Sequence, residues 1–213
     1  MTNNIELSSA TAAAASEDHE RKMAKKKAIR DKIIATKTRN QGLLLVFTGK
    51  GKGKSTAAFG MIFRAIAHGI PSAVIQFIKG GMETGERNLI KKHFSHLCQF
   101  YTMGDGFTWE TQNLERDISR AQAAWKKAQL LICDPNINMV VLDELSVAIH
   151  YNYIRLEEVL AFLKIKRPHN THVIITGRNA HKDLIALADL ATDMRLLKHP
   201  FSSGISAQAG VEF

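Results

Sequence analysis

The stretch Leu43 to Thr56, LLLVFTGKGKGKST, constrains the fold more than any other, because an apolar run passes directly into a glycine-and-lysine loop that closes on Lys-Ser-Thr. Leu43 to Phe47 reads as a short buried strand, and Gly49, Gly51 and Gly53 let the backbone curl so that successive N–H groups face one concavity. Ser55 to Ala67 has helical composition, so a helix N-terminus adds partial positive charge at the same place, beside the full charge of Lys54 and a hydroxyl at Ser55 suited to a metal ion. The pattern G-x-x-x-x-G-K-[ST] is met except at its first glycine, where Thr48 stands and Gly49 follows. Glycine-rich basic turns also occur without ligands, but a plain turn has no use for Lys-Ser between a buried strand and a helix. The reading is a nucleotide or polyphosphate cradle built from Gly49, Lys50, Gly51, Lys52, Gly53, Lys54, Ser55 and Thr56.

Downstream, apolar runs alternate with helical segments. Strands are expected at Ser72–Ile78, Leu97–Thr102, Asn138–Glu144 and Thr171–Thr176, with a final short strand running to Phe213 after a turn at Phe201–Gly204. Helices are expected up to His93 from Thr84, from Thr111 to Leu131, from Leu156 to Leu163 and from His181 to Leu190. Such alternation is the signature of a parallel sheet covered by helices on both faces. In the second of these helices Leu114, Ile118, Ala121, Trp125 and Ala128 share one face, which places Trp125 in the core.

Two further stretches carry chemistry. Asn138 to Glu144, NMVVLDE, ends an apolar strand in two carboxylates, an arrangement that sets an acid beside a metal ion opposite Ser55; Glu144 is expected near the metal, with Asp143 beside it or one shell out. Met103 to Glu110, MGDGFTWE, puts Phe107 and Trp109 on a loop after a strand. They either plug the core or face the ligand crevice that forms at strand ends in an open sheet.

The 213 residues suffice for one domain with a full core, and no apolar run approaches the ~20 residues needed to span a bilayer. The N-terminus lacks a basic segment followed by an apolar core, so a cytoplasmic protein is expected. Cys98 and Cys133 have no metal-ligand context and read as two reduced thiols, and the nine histidines form no ligand pairs at helical spacing. The net charge of +9 is uneven: Glu17 to Gln41 holds nine Lys/Arg against four Asp/Glu. Residues 1–16 are expected to be a disordered tail, followed over 17–41 by a basic helix with a thin apolar stripe. That helix is a solvated arm, a cover for an anionic ligand, or a nucleic-acid contact.

Taken in order, FTGKGKGKSTAAFG, VIQFIKG, GERNLI, GFTWETQN, MVVLDEL, VIITGR and KHPFSSGISAQAG resemble the ATP:corrinoid adenosyltransferases that carry a phosphate loop, over Gly42 to Phe213. That family also lacks the first glycine at the position of Thr48; Lys50 departs from it, standing where a small polar residue is usual. The resemblance implies a RecA-like phosphate-loop α/β fold over 42–213. It also implies transfer of the 5′-deoxyadenosyl group of ATP to Co(I) of a reduced corrinoid, with triphosphate leaving. Co(I) is nucleophilic enough to need no general base, which accords with a chain that offers no Ser/His/Asp or Cys/His set. By the same resemblance Lys54 stabilises the departing triphosphate, and Ser55, Glu144 and Asp143 attend a Mg²⁺ (or Mn²⁺). ATP lies reversed relative to ordinary phosphate-loop hydrolases. Phe107 and Trp109 occupy the lower face of the corrin and keep the axial ligand off cobalt, which eases reduction of Co(II) by a reduced flavin or flavodoxin. The basic helix covers the active site within a homodimer.

Two other classes fit the loop alone. A nucleic-acid-dependent ATPase of RecA-like type would use the basic arm on DNA or RNA, but 213 residues leave little room for a second lobe. A small-molecule kinase would need an arginine-rich lid, which the sequence does not offer.

Overall fold

Five of the six strands are short, largely apolar runs, and the four inside the sheet are buried on both faces, as a parallel sheet requires. The five are Leu44–Thr48 (β1), Ser72–Gln76 (β2), Cys98–Thr102 (β3), Met139–Asp143 (β4) and His172–Thr176 (β5), joined by an exposed sixth, Leu190–Asp193 (β6). The computed structural model describes residues 3–78, 83–103 and 113–212, with side chains from residue 16 onward. All pairings are parallel, in the order β3-β2-β4-β5-β1-β6. The α/β open parallel sheet expected from the alternation is therefore present.

Alternate residues of the inner strands feed two cores. Leu44, Val46, Ala73, Ile75, Val140, Leu142, Val173 and Ile175 face helices α4 (Leu114–Cys133), α5 (Leu145–His150) and α6 (Leu156–Ile165). Leu45, Phe47, Val74, Val141 and Ile174 face α2 (Lys54–Ala67) and α3 (Gly85–His93). Each such Leu, Ile, Val or Phe side chain stabilises the fold by roughly 1.5–3 kcal/mol on burial. In α2 the apolar positions Ala58, Phe59, Ile62, Ala65 and Ile66 fall at helical spacing and are buried. Trp125 is 2% exposed, meets Phe162 edge-on at 5.3 Å and donates Nε1–H to Glu158 at 2.7 Å, so it is a core residue as expected. Leu114, at the start of α4, is exposed.

The structure differs from the sequence reading in four places. Helix α1 runs from Asn3 to Ala35, so residues 3–16, expected to be a disordered tail, are helical; the alanine run there has the highest intrinsic helix propensity. A short helix, α5, follows β4 directly and was not foreseen. The helix expected over His181–Leu190 is only Lys182–Leu187 (α7), capped by His181, and the chain then enters β6, which pairs with β1. No final strand forms over 205–212; a 3₁₀ turn at Pro200–Ser203 leads to Gly204 at φ +74°, and the residues beyond run exposed through turns without pairing to the sheet.

By contact the chain divides into 1–40 and 41–213. In the first unit, Met23, Ile29, Ile33 and Ile34 of α1 are exposed and Asp18 pairs with Arg21 (2.7 Å) and Lys22 (2.5 Å). Those cations hold the Asp18 carboxyl below its usual range, Lys22 first. No helix among the described residues is long and apolar enough to cross a membrane.

Candidate active site

Every strand ends in a polar residue, and because the strands are parallel those ends lie along one edge. In sheet order they are Thr102, Gln76, Asp143, Thr176, Thr48 and Asp193. The phosphate loop opens from the same edge, where ligands bind in open parallel sheets.

The loop turns at Gly49 (φ +101°) and Gly53 (φ +102°), conformations that side chains avoid. Space makes the same demand at Gly49, where a Cβ would lie 2.1 Å from Asp193 Oδ1 and 2.5 Å from the Met194 carbonyl. Thr48, at the position of the missing first glycine, is buried and accepts a hydrogen bond from Ala180 N (3.1 Å), tying the loop to the segment after β5. A hydroxyl is useful there, and the strain-relieving glycine is needed one residue later. Gly53 starts α2 with no side-chain cap, leaving first-turn amides for an anion.

Lys54 is 7% exposed, and its Nζ donates to the carbonyls of Gly49 (2.9 Å) and Gly51 (2.5 Å), which offsets the cost of burying an ammonium. The amide of Gly51, expected to face the concavity, donates instead to Met194 O at 2.6 Å, since β6 runs on beside the loop. Lys52 forms an ion pair with Glu212. Lys50 and Arg195 add cationic groups to a cavity of about 370 Å³ beside the loop, bounded also by Thr48, Gly49, Asn179 and Asp193. Thr56 is exposed in the first turn of α2.

Asp143 is the acid that reaches the loop. It is fully buried; its Oδ1 accepts from Ser55 Oγ (2.7 Å) and Thr176 Oγ1 (2.7 Å), and its Oδ2 accepts from Gln76 Nε2 (3.0 Å). Glu144 adopts φ +65° and donates its N–H to Thr176 Oγ1 (2.9 Å), with Oε2 3.3 Å from where a Gly177 Cβ would stand. The direct contact to Ser55 is thus made by Asp143, with Glu144 turned out beside it. Gln76 and Thr176 were not singled out from the sequence; their signal was a single polar residue closing an apolar strand. Phe107 and Trp109 lie outside the described residues.

Among the described residues no three His, Cys, Asp or Glu side chains gather as a metal cage. The Ser55 hydroxyl and the Asp143 carboxylate meet at 2.7 Å, Glu144 is next to Asp143 in the chain, and all three offer oxygen. That set fits a hard cation completed by phosphate and water oxygens.

The residue pattern of the family described as ATP:corrinoid adenosyltransferase BtuR/CobO/CobP matches residues 40–213. A corrinoid adenosyltransferase of a Sinorhizobium species is 64% identical over 195 residues, covering 92% of this chain and 91% of its own. One from Pseudomonas aeruginosa is 48% identical, covering 92% and 95%. The corrinoid adenosyltransferase CobA of Salmonella typhimurium is 43% identical, covering 91% and 98%. With a family pattern that spans the whole α/β unit and relatives matched along nearly their full length, this chain belongs to the ATP:corrinoid adenosyltransferase family.

Proposed function

We infer that this protein transfers the 5′-deoxyadenosyl group of ATP to the Co(I) of a corrinoid and releases triphosphate, in the synthesis or salvage of adenosylcobalamin. The observation that carries this is family membership over residues 40–213, together with a loop whose lysine is held by its own carbonyls and whose serine meets the strand-end acid Asp143. The ATPase and kinase alternatives have no comparable support.

The chemistry asks the protein for two things: to hold the ribose C5′ in line with cobalt, and to stabilise charge on the departing triphosphate. Cobalt supplies the electron pair, the C5′–O bond breaks, and triphosphate leaves with the bonding pair. Lys54 and the first-turn amides of α2 meet that developing charge without having to rearrange, because Lys54 is already fixed by the loop carbonyls. A Mg²⁺ (Mn²⁺ serving as well) would be held by Ser55 and Glu144, with Asp143 acting through Ser55, and would supply further charge neutralisation on the phosphates. Lys50 and Arg195 extend the cationic surface around the loop, while Lys52 is paired with Glu212.

Phe107 and Trp109 are assigned to the lower corrin face, where they keep an axial donor from cobalt. A reduced flavin or flavodoxin-type protein is the electron source. The enzyme is assigned to the cytoplasm as a homodimer, and its basic N-terminal helix is assigned as a cover for the ATP-bound site. Phe107→Ala and Trp109→Ala should impair adenosylation from cob(II)alamin with a flavin reductant far more than from chemically prepared Co(I). Equal losses in the two assays would assign these residues a structural role.

A further inference from the structure

The acid pair at the end of β4 is held from both sides by its neighbouring strands. On the β5 side, the Thr176 hydroxyl donates to Asp143 Oδ1 (2.7 Å) and accepts the N–H of Glu144 (2.9 Å), so one oxygen fixes the carboxylate of the first acid and the backbone of the second. On the β2 side, Gln76 Nε2 donates to Asp143 Oδ2 (3.0 Å). Thr102 Oγ1 donates to Gln76 Oε1 (3.4 Å), which leaves the amide only one orientation: its nitrogen towards the acid. Gln76 is 1% exposed and Thr176 is fully buried. Buried polar groups in such a position are kept for what they orient, since an apolar residue would pack at either strand end without desolvation cost.

We propose that Gln76 and Thr176 are positioning residues, which set the rotation of the Asp143 carboxylate and the left-handed turn at Glu144 so that Ser55 and Glu144 present their oxygens to the divalent cation that accompanies ATP. This rests on the assignment of the loop as the ATP site. Neither residue touches the nucleotide; each acts through Asp143 and Glu144. With Thr176 lacking its hydroxyl, Asp143 Oδ1 keeps only Ser55 of these two donors, and Ser55 is drawn to the acid in place of the cation. Without Gln76, Oδ2 loses the partner that opposes rotation about the Cβ–Cγ bond.

The test is ATP affinity, measured calorimetrically on the full chain in Mg²⁺ and in EDTA, for wild type, Thr176→Val, Thr176→Ser and Gln76→Met. Partners that orient metal ligands typically change metal affinity about 10–100-fold when removed. Thr176→Val and Gln76→Met should therefore lose about tenfold or more of the affinity gained from Mg²⁺ while staying within about twofold of wild type in EDTA, and Thr176→Ser should restore the gain. Urea midpoints report whether each variant is folded; should Thr176→Val not fold, Gln76→Met, which leaves both Thr176 bonds intact, gives the same readout. Equal losses in Mg²⁺ and EDTA, or no rescue by serine, would overturn the positioning role. A wild type that binds ATP in EDTA and gains nothing from Mg²⁺ overturns it too, and one that binds no ATP in either medium defeats the assignment of the loop itself.

Discussion

Gly49→Ala tests the geometry of the loop without removing any charged group. The added methyl would stand 2.1 Å from Asp193 Oδ1, 2.5 Å from Met194 O and 2.7 Å from Met194 N, with the backbone at φ +101°. The backbone conformation costs an L-residue about 1–3 kcal/mol. Forcing β6 away from β1 adds about 1–3 kcal/mol more, because two of the three close atoms are main chain and cannot rotate aside. The expected loss is therefore on the order of 3–4 kcal/mol, or a fall of about 10 °C in Tm for a domain of this size. Gly60→Ala is the control: Gly60 lies inside α2 with nothing within 4 Å of its would-be Cβ, so alanine should stabilise by about 0.5–1 kcal/mol. Adding Asp193→Ala to Gly49→Ala should recover only part of the loss, since the Met194 carbonyl remains. Thermal melts of the four proteins decide the matter. A Gly49→Ala protein within 2 °C of wild type, or full rescue by Asp193→Ala, would refute the reasoning (both thresholds follow from about 2–4 °C per kcal/mol).

Lys54→Ala should reduce adenosylation of reduced cobalamin by about 10²–10³-fold, the usual loss when one preorganised donor to developing charge is removed; full retention would remove the loop from the mechanism. His172 accepts the Leu43 N–H through Nδ1 (3.1 Å), and burial, then the nearby Arg167 charge, lowers its pKa below the ordinary 6.5. The unfolded chain thus takes the proton first, and this contribution to stability is present above about pH 6.5 and lost as pH falls below it. His172→Asn, which can accept the same bond without titrating, should flatten the fall in urea midpoint between about pH 7 and 5; an unchanged slope would contradict the assignment. Cys98 is buried, which pushes its thiol pKa up to about 12, whereas Cys133 is exposed. A thiol reagent at about pH 8 should label Cys133 quickly and Cys98 only on unfolding; two equally fast thiols would show the β3 end to be open.

The parts of this fold that were legible in the sequence are those with one dominant signal. Strands β1, β2, β4 and β5 are apolar runs buried on both faces, and α2 and α4 carry buried residues at helical spacing, Ala58–Ile66 and Ala121–Ile132. β6 was not legible because Leu190–Asp193 is exposed throughout and earns its strand conformation from pairing with Leu45–Thr48, a contact remote in sequence. Helix α5 was hidden because only Glu144, in the left-handed region and making no capping side-chain bond, separates it from β4. In the site, glycine, lysine and serine spacing disclosed the loop and the strand-end acids disclosed Asp143 and Glu144. Which acid meets Ser55 was not readable, because it depends on the strand register that sets Asp143 between Gln76 and Thr176.

The most direct measurement is product analysis after incubating the protein with ATP, a divalent cation and chemically reduced cobalamin. Adenosyl transfer predicts the visible spectrum of a Co–C bonded corrinoid and an equal amount of intact triphosphate, with both formed about 10²–10³-fold more slowly by Lys54→Ala. Release of ADP or of phosphate stimulated by DNA, with no change at cobalt, would contradict the account.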